Sequence, residues 1–119
     1  MIKLYTSPTP NGRKISILLE ELNAEYETIL IDLGKKEQFK KEFSKLSPTN
    51  KIPVIVDTEN GQRIFESGAI LIYLAQKYNK FLDNENYWEI MQWLILQVAY
   101  VGPMLGQAHQ YLFYHRGKS

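Results

Sequence analysis

The sequence contains no cysteine. That excludes structural disulfides and leaves no protein thiol to act as a nucleophile or a metal ligand. Its two histidines do not form a metal set, so no metal is expected. An excess of either charge is also missing: 14 basic against 13 acidic residues leave a net charge of +1, which gives no electrostatic case for nucleic acid or a membrane surface. No apolar run reaches the length of about 18 residues that a membrane-spanning helix requires. The opening Met1-Ile2-Lys3-Leu4-Tyr5 reads as a strand rather than a basic segment followed by a long apolar one, which argues against secretion and sets cytoplasmic residence as the expectation.

What is present suits a folded domain. At 119 residues the chain has room for one domain of ordinary size, and 45% hydrophobic against 23% charged residues is a globular rather than a disordered balance. Ile2 to Tyr5 is a short strand, broken by Thr6-Ser7-Pro8-Thr9-Pro10-Asn11-Gly12. A helix follows from Pro10 or Asn11 to Leu22, with Ile15, Leu18, Leu19 and Leu22 on its buried side. Thr9 suits the cap and Pro10 the first helical position. Two readings of Thr9 and Asn11 stand side by side: cap and turn residues only, or polar groups at a helix terminus where a small anion binds.

Tyr26 to Leu33 is a second strand, expected to run parallel to the first because a helix intervenes. Gly34 to Ser44 reads as a short helix or an irregular helical loop, with Phe39 and Phe43 as an i,i+4 apolar pair. Its lysines read as a solvated face. After the turn SPTN comes Lys51 to Ala75, which holds a β-branched strand opened by Pro53, an Asn60-Gly61 turn, a strand through Ile64 and Phe65, and a helix that Ser67 is placed to cap. A cis bond before Pro53 would turn the amide and carbonyl of Ile52 toward a peptide-like ligand. The amides opening the Ser67 helix attract an anion.

Tyr78 to Glu85 is polar and irregular, with Asp83 or Asn84 placed to cap the next helix. That helix is expected from Glu85 towards Tyr111, with Met91, Leu94, Ile95, Val98, Val101 and Leu105 on one stripe and Trp93, Leu96, Tyr100 and Pro103 opposite. Apolar nearly all round, it expects neighbours on more than one side, and Gly102-Pro103 is expected to bend it. Unpartnered apolar surface of this kind predicts a homo-oligomer through the long helix.

The stretches LYTSPTPNGRKISILLEE, IDLGKKEQF, SPTNKIPVIVD, IFESGAILIYLA and VGPMLGQAHQY, in that order, resemble the glutathione transferase superfamily. The nearer resemblance is to its Nu-class and prion-precursor-related disulfide reductases. It implies an α/β thioredoxin-like fold, βαβ-α-ββα with a mixed four-stranded sheet, over 1–78. A linker at 79–84 and the start of an incomplete all-helical domain at 85–119 would follow, the chain stopping short of the family's full helical domain.

The resemblance implies glutathione as co-substrate. Thr9 and Asn11 would stand near its sulfur, with Gln38 towards the far end of the tripeptide. Lys51 would contact a carboxylate, and Ile52, before cis Pro53, would bond the cysteinyl backbone. Glu66 would accept from the γ-glutamyl ammonium and Ser67 would hold its carboxylate. With no protein cysteine, glutathione itself would supply the thiolate that reduces a small disulfide. Tyr5, within its strand, is expected to pack rather than to donate to the sulfur. Two alternatives are a truncated glutathione-binding or oligomerising module with little activity, and a transferase acting on electrophiles.

Overall fold

The computed structural model describes residues 1–109, in two units, Met1–Phe81 and a second beginning at Leu82. In the first, β1 (Ile2–Thr6), β2 (Tyr26–Leu30), β3 (Val54–Asp57) and β4 (Arg63–Phe65) form one sheet in the order β2-β1-β3-β4. The β1–β2 pair is parallel and the other two are antiparallel. Helices α1 (Pro10–Glu21), α2 (Lys41–Leu46) and α3 (Ser67–Tyr78) complete the unit, with a 3-10 turn at Glu37–Phe39 ahead of α2. The expected thioredoxin-like α/β arrangement and mixed sheet are borne out.

The period-2 pattern of β1 sends Ile2 and Leu4 into a core shared with Ile15 and Leu19 of α1, Ile55 of β3, and Ile70 and Leu74 of α3. All seven side chains are fully buried. On the alternate positions, Tyr5 sets its ring 6.5 Å from that of Phe43 on α2, which is the packing role expected of it. Phe39 and Phe43 do not act as one apolar pair: Phe43 is buried and Phe39 is 62% exposed. The 3-10 turn carrying Phe39 ends at an extended Lys40 (φ −65°, ψ 143°), so the two aromatics do not share a helix.

Strand β2 ends earlier than its apolar pattern suggests. Its partner β1 stops at Thr6, whose carbonyl takes the Ile31 amide at 2.8 Å, and the Ser7 hydroxyl then donates to the Ile31 carbonyl. Beyond this Pro8 has no amide to give. Gly12 fixes how α1 meets β1, since a Cβ there would lie 2.2 Å from Thr6 Oγ1 and 2.4 Å from the Ser7 carbonyl oxygen. The β3–β4 turn uses Asn60 and Gly61 as expected: Gly61 has φ 74°, and Asn60 Oδ1 accepts from the Gln62 amide at 2.9 Å.

At that end of the sheet Asp57 is fully buried, and its Oδ2 accepts from Lys77 Nζ and from the Tyr73 hydroxyl, each at 2.6 Å. Lys77 also reaches Glu59 Oε2 at 2.8 Å. Burial alone would raise the Asp57 carboxyl, yet the hydrogen bonds from Lys77 and Tyr73 outweigh it and hold the group below the usual carboxylate range. Hydrogen bonds to Asp57 and Glu59 raise Lys77 above the ordinary lysine value.

In the second unit, α4 (Tyr87–Leu96) passes into a π-helical turn, Gln97–Val101, and then α5 (Gly102–His109). The irregularity precedes Gly102-Pro103 instead of lying at it. Opening the helix by one residue lets Pro103 fall in the first turn of α5, where an amide is not required. The start is also later than expected: Asn86 takes the cap position, and Asp83 Oδ1 accepts its amide at 2.7 Å. The expected continuation to Tyr111 lies outside the described residues. No helix among the described residues is long and apolar enough to cross a membrane.

Two predictions follow from the sheet. Gly12→Ala should cost about 1–3 kcal/mol in denaturant unfolding, because the added methyl meets backbone as well as side chain. For Asp57, the depressed carboxyl contributes stability that is full above an ordinary carboxylate pKa of about 4 and is lost as pH falls through the folded-state value; raised Lys77 contributes below about pH 10.4 and is lost as pH rises through its own. Asp57→Asn should therefore lower stability at neutral pH by about 3 kcal/mol and flatten the acid limb. An unchanged acid limb in pH-dependent melts would contradict this.

Candidate functional site

Register brings three chain junctions to one end of the sheet. Tyr5 at the end of β1 pairs with Val54 at the start of β3, and Val54 pairs with Phe65 at the end of β4. The loop into α1, the approach to β3 and the entry to α3 therefore meet. A cleft of about 140 Å³ opens there, lined by Asn11, Thr49, Lys51, Ile52, Pro53, Glu66 and Ser67.

Six of the eight residues named from the sequence thus line one cleft. Thr9 instead lines a neighbouring cavity of about 570 Å³ with Ser7, Pro8, Asp32 and Leu33. Gln38 lines neither. Its side-chain Oε1 is buried without a hydrogen-bond partner, while its carbonyl accepts from Asn50 Nδ2 at 3.0 Å. Thr49 was not anticipated: no periodicity marks it, and only its place in the SPTN turn before Lys51 could have drawn notice.

Groups in the cleft and beside it have chemistry to spare. Thr9 caps α1 as expected, accepting the Gly12 amide at 3.3 Å, which leaves its hydroxyl proton available. The Ile52–Pro53 bond is cis, and among the described residues the Ile52 amide and carbonyl make no hydrogen bond. Among the same residues Lys51 and Glu66 form no ion pair, with each other or with any other side chain.

The entry to α3 differs from expectation. Ser67 does not cap the helix; Glu66 occupies that position with φ 73° and ψ 120°, without a side-chain cap bond, and its carbonyl accepts the first helical amide, from Ile70, at 3.0 Å. Ser67 is already helical, so its hydroxyl points from the first turn, where the amides lack intrahelical partners. A positive φ at a non-glycine residue costs about 1–3 kcal/mol, and here it sits at a carboxylate facing the cleft. The arrangement offers an acceptor for a cation at Glu66, donors for anions at Lys51 and the α3 terminus, and an open peptide edge at Ile52. Among the described residues no cluster of His, Cys, Asp and Glu could hold a metal ion.

Known proteins resemble this chain in sequence and fold. The disulfide-bond oxidoreductase YfcG of Escherichia coli is 51% identical over 118 residues, covering 93% of this chain and 55% of its own. A glutathione transferase homologue from Lodderomyces elongisporus, solved with two glutathiones per subunit, superposes with a TM-score of 0.91 at 44% identity, covering 95% of this chain and 57% of its own. A glutathione transferase from Pseudomonas putida, solved with one glutathione disulfide per subunit, gives 0.90 at 42% identity over 95% of this chain and 52% of its own. The chain spans about half the length of the curated relatives it matches. Residues 1–76, which hold the whole sheet, α1, α2 and all but the last turn of α3, match the glutathione S-transferase N-terminal domain, and the chain belongs to that family.

Proposed function

We propose that this chain binds glutathione in the cleft at Ile52 and serves a thiol:disulfide oxidoreductase reaction on small disulfides. The observation that carries the reading is the amide and carbonyl of Ile52, unpaired among the described residues, in one cleft with a cation and an anion that form no ion pair there. Glutathione is a peptide with one ammonium and two carboxylates, and the cleft offers a counterpart for each. Glu66 accepts from the γ-glutamyl ammonium; Ser67 and the α3 amides take the adjacent carboxylate; Lys51 takes the glycyl carboxylate. Ile52 bonds the cysteinyl backbone. Gln38, on the 3-10 turn, is assigned to the glycyl end, where its side-chain amide would donate to the carboxylate.

Bound there, glutathione supplies a thiol whose thiolate attacks disulfides. The protein's part is to favour that thiolate, with Thr9 donating its free hydroxyl proton and Asn11 its side-chain amide. No protein cysteine competes for the role. A relative named as a disulfide-bond oxidoreductase supports this reaction over conjugation of electrophiles, and structures solved with glutathione or its disulfide support the ligand. Cytoplasmic residence suits it, since the glutathione pool there is kept reducing.

Our reading divides the chain into a glutathione-binding unit at 1–78, a linker at 79–84 and the opening of a helical domain at 85–119. It assigns the exposed side chains of α4 and its continuation, Trp88, Trp93, Tyr100 and Leu105 among them, to contact with a second copy of the chain.

Glutathione or its disulfide should protect the chain against thermal unfolding, by about 2.7 kcal/mol at one hundred times the dissociation constant. Glu66→Gln should weaken that protection. Glu66→Gly should weaken it too while melting no lower than the parent when ligand is absent, because glycine accepts the positive φ. Absence of any shift at millimolar glutathione or disulfide would sink the binding assignment, and binding without turnover of a small disulfide would leave the module reading in its place. Sedimentation should report a concentration-dependent oligomer; a monomer at high and low concentration rejects the second-copy contact.

A further inference from the structure

We propose that Asn50, which contributes nothing to the cleft wall, is a positioning residue that sets the glycyl end of the binding site; the inference rests on the glutathione reading above. Asn50 has φ 56°, and its side-chain amide donates to the Gln38 carbonyl at 3.0 Å and to the Ser44 hydroxyl. It thereby ties the 3-10 turn carrying Gln38 to helix α2 and to the loop that delivers Lys51. The same loop is closed from within by Ser47, which is fully buried. Its hydroxyl donates to the Lys51 carbonyl at 2.8 Å and accepts the Lys51 amide at 3.0 Å.

These bonds divide the labour of neighbouring residues. Both backbone groups of Lys51 are occupied by Ser47, so Lys51 is left to recognise through its ammonium alone. At Ile52 the backbone is free. The Gln38 side chain projects from a turn whose backbone carbonyl is held by Asn50. Lys51 and Gln38 are the two groups assigned to the glycyl end, and both take their position from the Ser47–Lys51 turn. Among the described residues Glu66, Ser67 and Ile52 make no hydrogen bond to it.

An asparagine in the left-handed region has a simpler reading, which is that the backbone needs a residue tolerant of positive φ. Asn50→Gly separates the two, because glycine keeps the backbone conformation and removes only the side-chain amide. The test is calorimetric titration of the full chain with glutathione and with γ-glutamylcysteine, which lacks the glycyl residue. Asn50→Gly should weaken glutathione by about threefold to tenfold, the worth of an ordinary hydrogen bond, and leave γ-glutamylcysteine within about twofold of the parent. Ser47→Ala, which frees the Lys51 backbone, should show the same selectivity and serves where the glycine variant does not fold.

Equal weakening of both ligands would mean a purely structural role. No weakening of either would mean that only the backbone conformation matters, and each result overturns the proposal for Asn50. Failure of the parent chain to bind either ligand overturns the glutathione reading itself and, with it, this inference.

Discussion

Strand register is the constraint on which the rest depends. With Tyr5 opposite Val54 and Val54 opposite Phe65, the end of β1, the start of β3 and the end of β4 lie side by side. A slip of one residue would turn every side chain of a strand to the other face, taking Leu4 or Ile55 out of the core. Burial of that face thus selects the alignment that also assembles the cleft. Packing and the shape of the cleft are set by one choice of register.

The two ends of β3 divide the work. Where β3 starts, Lys51, Glu66 and the Ile52 backbone stay unpaired among the described residues, and Glu66 holds a costly backbone conformation. Where it ends, the groups around Asp57 are engaged with one another: Asp57 with Tyr73 and Lys77, Lys77 with Glu59, Asn60 with Tyr73. A buried carboxylate with two charge-assisted or hydroxyl donors is a firm anchor for the β3–β4 turn and α3. The open end stays set because the closed end fixes where β3 and α3 lie.

Elements governed by short-range pattern were legible in the sequence. The period of α1, the Thr9 cap, the β-branched run of β3 and the Asn60-Gly61 turn each follow from residues within a few positions of one another. Six cleft residues were legible through resemblance and were then found along one cleft. What escaped depends on contacts distant in sequence. Strand β2 looked longer because its limit is set by Pro8 on its partner, not by its own residues. Ser67 looked like the cap because its chemistry fits, yet the tertiary entry angle gave that position to Glu66. The hydroxyl of Ser47 and amide of Asn50 were read as turn residues, and turn chemistry does not tell which backbone groups the side chains will take.

The division between Lys51 and Ile52 shows what those missed bonds do. A loop entering a strand ordinarily leaves several backbone groups for water or ligand. Here one buried hydroxyl removes both groups of Lys51 from that pool, and the free edge begins one residue later. In the proposed reading a peptide ligand aligns its main chain against Ile52, and its placement along the edge is set by the protein's own hydrogen bonds before any charged side chain is engaged. In that reading the charges at Lys51 and Glu66 act on a ligand whose position is already restricted. Charge spacing, rather than total charge, would then be the property that selects among peptides.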